Sequence, residues 1–326
     1  MAKRVGVDKW LFGTVLLLVL FGLVSVFSAS AVLAKSTLGS PYAYVSKQAG
    51  FALAGMIALF VLMRVDYRKY NNPKLIFPLM AITGMLLLAV FAWGGMNGAH
   101  RWVRFPGITL EPSELAKPMI VLFLAWFLQT RIHTIDNFKE TILPAVIPPL
   151  VFIALILKEP DLGTALVCAV VMMLMLFLAG LPVRWLLVGG AAASPVLYFM
   201  LFHVAWRAKR MFVFLHPEAD PRGAGFHIMQ SLIAVGTGGF RGLGLMEGRQ
   251  KLFYLPEPHT DFIFANISEE LGLIGAICVL AAFCILGYRG LRAAFMSTDP
   301  FARFLAFGLT TIILVQAFFN MSVVLA

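Results

Sequence analysis

Residues 249–272, RQKLFYLPEPHTDFIFANISEELG, bring an imidazole and three carboxylates, His259, Asp261, Glu269 and Glu270, to the mouth of a long apolar run. Carboxylates are expensive at membrane depth. An ionisable group at such a boundary that faces protein rather than lipid therefore marks a candidate functional site. Asp261 is its centre. A positioned carboxylate can take a proton from a hydroxyl as a general base, while cations or a metal stabilise a leaving diphosphate.

Three further stretches carry unusual polar residues. NGAHRWVRFPGITLEPSELAK, residues 97–117, holds Arg101, an interfacial Trp102, and Glu111-Pro112-Ser113-Glu114 at the start of an apolar run. Pro112 and Ser113 fit a helix start and cap. Glu114 and Lys117 share one helical face at i, i+3 and can pair. The pair is either a structural neutralisation of two charges or part of a substrate cavity. KEPDLGT, residues 158–164, reads as a tight turn whose Asp161 can cap the next helix, which competes with a catalytic role for that residue. Between 203 and 263 lies a long polar segment with Arg207, Lys209, Arg210, Arg222, Arg241, Arg249 and Lys251 against Glu218, Asp220, Glu247, Glu257 and Asp261. This basic excess could receive a diphosphate, or it could belong to a solvated loop touching headgroups. Its glycines, Gly236, Gly238, Gly239, Gly242 and Gly244, do not make a phosphate loop: Arg241 interrupts G-x-G-x-x-G and no GK[ST] follows. A flexible or tightly turned segment is expected there. Asn266-Ile267-Ser268 matches a glycosylation acceptor but lies at the entry of an apolar run, so it is discounted.

The elements that must carry these residues are apolar runs near 10–33, 48–63, 75–93, 114–129, 141–157, 163–180, 182–202, 264–287 and 301–325. Runs of about 20 residues without strict alternation are membrane helices rather than barrel strands. The first is too long for the apolar part of a secretory signal and is kept as a span. With the N-terminus in the cytoplasm, the inner short loops collect Lys3, Arg4, Lys9, Arg64, Arg68, Lys69, Lys74, Arg131, Lys139, Arg184, Arg289, Arg292 and Arg303. The outer ones hold only Lys35, Lys47, Arg101, Arg104 and Lys158. This imbalance sets the N-terminus inside and Asp261 on the outer face.

The composition agrees. Hydrophobic residues make up 60% of the 326, charged residues only 13%, and the mean hydropathy is +0.89. A soluble domain carries about twice that share of charge. The net charge of +10 is assigned to cytoplasmic loops and headgroup contacts rather than to nucleic acid. Cys168, Cys278 and Cys284 lie inside apolar runs without a CxxC pair, so neither a disulfide framework nor a zinc site is expected. An enzyme and a transporter are not separated by these observations alone. A transporter buries its polar site near the midplane on broken helices, whereas these polar residues gather at the outer ends of the runs, which favours surface chemistry on a substrate that is half lipid and half polar.

Read in order, RWVRFPGITLEPSELAK, KEPDLGTA, FLHPEADPRGAGFHIMQSLIAVGTGG and RQKLFYLPEPHTDFIFANISEELG resemble the SEDS (shape, elongation, division, sporulation) family of bacterial peptidoglycan glycosyltransferases. The match spans nearly the whole chain, and QSLIAVGTGG, RQKLFYLPEPHTDF and LFLAWFL are closer to the division-type member than to the elongation type. The resemblance implies an all-α polytopic bundle with nine of the family's ten spans in this chain. It implies one domain over residues 1–326 with an outer loop at about 203–263. Its implied activity is polymerisation of lipid II into β-1,4-linked glycan strands at the outer face of the bacterial cytoplasmic membrane during septal wall synthesis. Also implied are a divalent cation, magnesium or manganese, a class B penicillin-binding protein as partner, other membrane proteins of the division machinery, and no nucleic acid. By motif position Asp261 becomes the essential carboxylate and a candidate metal contact. Glu114 and Lys117 line the adjacent cavity, and Arg101, Trp102, Lys158, Asp161, Arg210 and His259 sit in matching motifs. A lipid II flippase and a non-catalytic scaffold are the alternatives. Two departures stand out. Glu111 replaces the usual glutamine, and the chain ends at Ala326, where family members continue past the equivalent of Asn320-Met321-Ser322-Val323-Val324 into a tenth span, so a C-terminal truncation is expected.

Overall fold

The computed structural model describes residues 7–92, 101–105, 108–216, 223, 225–251 and 260–325. Its helices are α1 Lys9–Leu38, α2 Ala43–Leu62, α3 Pro73–Ala89, α4 Pro112–Arg131, α5 Leu143–Lys158, α6 Leu162–Leu178, α7 Val183–Phe202, α8 Ala205–Leu215, α9 Phe226–Gly238, α10 Ile263–Met296 and α11 Pro300–Leu325. Two short strands, β1 Val103–Phe105 and β2 Ile108–Leu110, pair antiparallel ahead of α4. Among the described residues eight helices are long and apolar enough to cross a membrane, and α6, with 17 residues, is a shorter apolar helix. All nine expected runs are thus helical.

Polar residues between the runs set the helix ends. Asp8 accepts from the backbone N–H of Trp10 and Leu11 and caps α1, which closes at Gly39 with a left-handed φ of 75°. Asn72 caps α3 through the Lys74 N–H, with Pro73 in the first turn, where its missing donor costs nothing. At α4 the expected cap differs: Pro112 opens the helix, but the N-cap is Glu111, and Ser113 donates its hydroxyl to the Glu111 carboxylate rather than capping.

The chain forms two compact units. One comprises residues 65–191 and 287–316 and is built around α4, whose Ala116, Ile120, Val121, Leu124, Ala125 and Leu128 are buried with Ile76, Leu87, Ile156, Met175, Leu176, Phe301 and Phe304. Lipid supplies no hydrophobic drive between helices, so close van der Waals contact must hold them. Small residues permit it: a Cβ on Gly308 of α11 would overlap Val121 and Met175, and one on Gly290 of α10 would overlap Thr310.

The other unit comprises residues up to 64, 192–286 and 317 onward. There Ala234 of α9, Phe264 and Ala265 of α10, and Met321 and Val324 of α11 pack together, and Ser231 donates to the Val324 carbonyl at 2.8 Å. The polar segment after α7 is not a simple solvated loop. Its first part is α8, with Arg207 and Val213 buried and Trp206 and Phe212 exposed. Its second part, α9, turns back onto α10. Cys168 is buried, whereas Cys278 and Cys284 are exposed and free.

Candidate active site

Asp261 stands exposed two residues ahead of α10. His259 falls in 252–259, outside the described residues. Glu269 and Glu270 are not at the mouth of the run as expected. They lie two turns into α10, with 0% and 2% of their surface exposed. Buried carboxylates survive only when neutralised or fully hydrogen-bonded, and each of these is. Glu269 Oε1 accepts from the backbone N–H of Arg249 at 2.9 Å and of Gln250 at 3.2 Å. Glu270 Oε1 accepts from Lys251 Nζ at 2.6 Å and from the Ser28 hydroxyl at 2.6 Å.

What allows this is a break in α10. Gly272 has φ 66° and ψ −163°, so the carbonyls before it and the N–H groups after it lose their helical partners. Residues 239–244 supply replacements. Leu243 N and Gly244 N donate to the carbonyls of Glu269 and Glu270 at 3.0 and 2.9 Å, and Leu273 N donates to the Gly239 carbonyl at 2.9 Å. Non-helical backbone along a membrane helix is tolerated where protein covers it in this way. The glycine-rich stretch is accordingly a tight turn with φ of 53°, 79° and 115° at Gly239, Gly242 and Gly244. A Cβ on Gly238 or Gly242 would run into the carbonyls of Ser268 or Glu270.

Arg210 of α8 belongs to this same unit and is exposed, its guanidinium 5.2 Å from the centroid of the Trp206 ring. Asn266 is buried at 1% exposure, consistent with discounting it as a glycosylation acceptor.

The remaining predicted residues gather in the other unit. Lys117, 3% exposed, donates to Glu114 Oε1 at 2.7 Å and to Gln316 Oε1 at 2.9 Å. The expected pair therefore forms, with a third member that only tertiary structure reveals. Arg101 crosses to the 158–161 turn, donating to the carbonyls of Glu159 at 3.3 Å and Pro160 at 2.5 Å. Trp102 beside it is 44% exposed, as an interfacial anchor requires. Asp161 accepts from the Thr164 N–H at 3.1 Å and caps α6. Lys158 lies 5.3 Å from the centroid of the Phe91 ring.

Two more acids complete this corner: Glu111, which replaces the usual glutamine, and Glu159, missed as a site candidate. Glu159 is fully buried, and neither carboxylate oxygen has a hydrogen-bond partner. Burial first, then Asp161 and Glu111, push its carboxyl up to about 8 against a weaker opposing pull from Arg101. Burial and then Asp161 also raise Glu111. The only sequence signal was the density of acids in EPSE and KEPD. Among the described residues no three His, Cys, Asp or Glu side chains converge as metal ligands. The implied cation thus finds no cage of three such side chains among them.

A family model described as "Cell cycle protein", covering FtsW, RodA and SpoVE, matches residues 8–326. The chain belongs to this family. It is the SEDS family that the motifs resemble, and the chain is a polytopic membrane protein. It is 43% identical to a probable peptidoglycan glycosyltransferase FtsW of Geobacter metallireducens, over 93% of this chain and 81% of the relative. It is 38% identical to the stage V sporulation protein E of Bacillus subtilis, over 98% and 84% respectively. Among solved structures, a chain of a peptidoglycan synthase complex, studied for its structural coordination of polymerization and crosslinking, superposes with a TM-score of 0.77 at 26% identity, covering 98% of this SEDS chain and 87% of that one. The rod shape determining protein RodA of Thermus thermophilus shares the fold, with a TM-score of 0.68 at 24% identity over 99% and 87%.

Proposed function

We propose that this SEDS protein is a division-type peptidoglycan glycosyltransferase, which polymerises lipid II at the outer face of the bacterial cytoplasmic membrane, with its N-terminus in the cytoplasm. The observation that carries the reading is an exposed carboxylate, Asp261, at the head of a membrane helix in a chain of this family. Asp261 takes the proton of the acceptor sugar hydroxyl. The freed oxygen attacks the anomeric carbon of the donor, forming the β-1,4 bond as the bond to the lipid diphosphate breaks and that group leaves with its electron pair. Arg210, in the same unit, is proposed to face the diphosphate, and His259 is kept as a substrate-cavity candidate by its motif position alone. Arg101, Trp102, Glu114, Lys117, Lys158 and Asp161 are proposed to line the substrate cavity. A class B penicillin-binding protein crosslinks the product, and other division proteins assemble around the pair. The names of the relatives and the synthase complex among the structural neighbours support this reading.

The test is polymerisation of labelled lipid II by the chain with its penicillin-binding partner, beside Asp261→Ala. Polymer from the parent and none from the variant is expected, and equal product from both removes Asp261 as the base. Transbilayer movement of lipid II that persists in Asp261→Asn, without polymer from the parent, would assign a flippase instead. Dependence on magnesium or manganese is read in the same assay after chelation and re-addition of each ion.

A further inference from the structure

Ser28 of α1, Lys251 beyond the 239–244 turn and Glu270 of α10 close on one another inside one unit. Their exposures are 1%, 5% and 2%. The Ser28 hydroxyl donates to both Glu270 oxygens at 2.6 and 2.7 Å, and Lys251 Nζ donates to Glu270 Oε1 at 2.6 Å and to Ser28 Oγ at 3.2 Å. The proposed reaction uses none of the three. A buried ion pair is weak evidence for stability, since apolar residues of the same volume often serve as well, and its best-attested use is to fix one register.

Here the register is that of residues 249–251 against the piece of α10 that follows Asp261. Adjacent glutamates grip three consecutive residues: Glu269 holds the N–H groups of Arg249 and Gln250, and Glu270 holds the Lys251 ammonium. These glutamates sit on the nine-residue stretch of α10 before the Gly272 break, at whose head Asp261 stands. Gly248 packs so closely that a Cβ there would press on the Glu269 carboxylate. We infer that Lys251, Glu270 and Ser28 are positioning residues for Asp261, a buried clasp that locks residues 249–251 to the short helical piece carrying that carboxylate. The inference rests on Asp261 being the base. Displacing a catalytic group by about 1 Å costs about 100-fold in rate, so the clasp acts on turnover and not on substrate affinity.

The experiment measures kcat and KM for lipid II, detergent melting, and hydrogen exchange in peptides covering 243–251 and 260–271. Variants are Lys251→Met, Glu270→Gln, the reversed pair Lys251→Glu/Glu270→Lys, and Ser28→Ala. Each single charge change is expected to lower kcat by about tenfold or more, leave KM within about threefold, and speed exchange in both peptides. Ser28→Ala, which leaves the ion pair, should cost about two- to threefold, and the reversed pair should recover most of kcat and of the exchange protection. Folded Lys251→Met and Glu270→Gln variants with kcat within about twofold of the parent overturn the inference, as does a folded reversed pair no better than either of them. If the singles do not fold, the reversed pair and Ser28→Ala decide by the same measures. If the parent makes no polymer, the glycosyltransferase reading has failed instead. Unchanged exchange in every variant would then overturn the clasp on its own.

Discussion

Lys117 is almost wholly buried while its partner Glu114 keeps half its side chain exposed, so the two members of this pair are not equivalent. Removing Glu114 leaves a buried ammonium with only the Gln316 oxygen, whereas removing Lys117 leaves a carboxylate that water can reach. Glu114→Gln is therefore expected to destabilise by roughly 3 kcal/mol and Lys117→Met by less, with the double change milder than Glu114→Gln, read as detergent melting. If both residues face substrate, polymerisation falls in the well-folded double variant as well. Glu159 makes the opposite kind of statement. Its folded carboxyl sits near 8 instead of the usual 4.5, so the fold prefers the neutral form. The native state then holds more protons than the unfolded chain between those values. Stability from this group is complete below about pH 4.5 and falls as pH rises towards 8. Glu159→Gln keeps shape and neutrality. It should melt higher than the parent at pH 8 to 9, by on the order of a few kcal/mol, and show no advantage near pH 5.

At the level of elements, the break at Gly272 and the turn over residues 239–244 are one construction, because each satisfies the other's backbone groups. Gly242 has both a left-handed φ and a carbonyl where a Cβ would go. Gly242→Ala is expected to part the segment from α10 and abolish turnover, seen as faster exchange in 239–251. Gly236, inside α9 with open space around it, is the control. Gly236→Ala should leave activity intact and stabilise by about 0.5–1 kcal/mol, since it removes backbone freedom from a helix interior.

At the scale of the whole molecule, the charge imbalance of the short loops makes a topological prediction. A cysteine at Ser40, in the exposed α1–α2 turn, should react with a membrane-impermeant maleimide in intact spheroplasts, and one at Lys69 only after permeabilisation. The reverse pattern would put Asp261 on the cytoplasmic side and remove the proposed surface chemistry.

All nine apolar runs were legible in the sequence, because the length and hydropathy a bilayer demands are properties of contiguous residues. So were the Asp161 cap and the Glu114–Lys117 pair, since capping and i, i+3 contact are decided within one turn of helix. Glu269 and Glu270 were misplaced for the converse reason. Glu270 is paired with Lys251 and hydrogen-bonded by Ser28, and Glu269 accepts from the N–H groups of residues 249 and 250, partners that the sequence separates from them by 19 to 242 positions. The positive φ of Gly272 likewise exists only because residues 239–244 are there to take its neighbours' hydrogen bonds. Burial of a charge depends on what surrounds it in three dimensions, and the tertiary structure alone decided where these carboxylates lie.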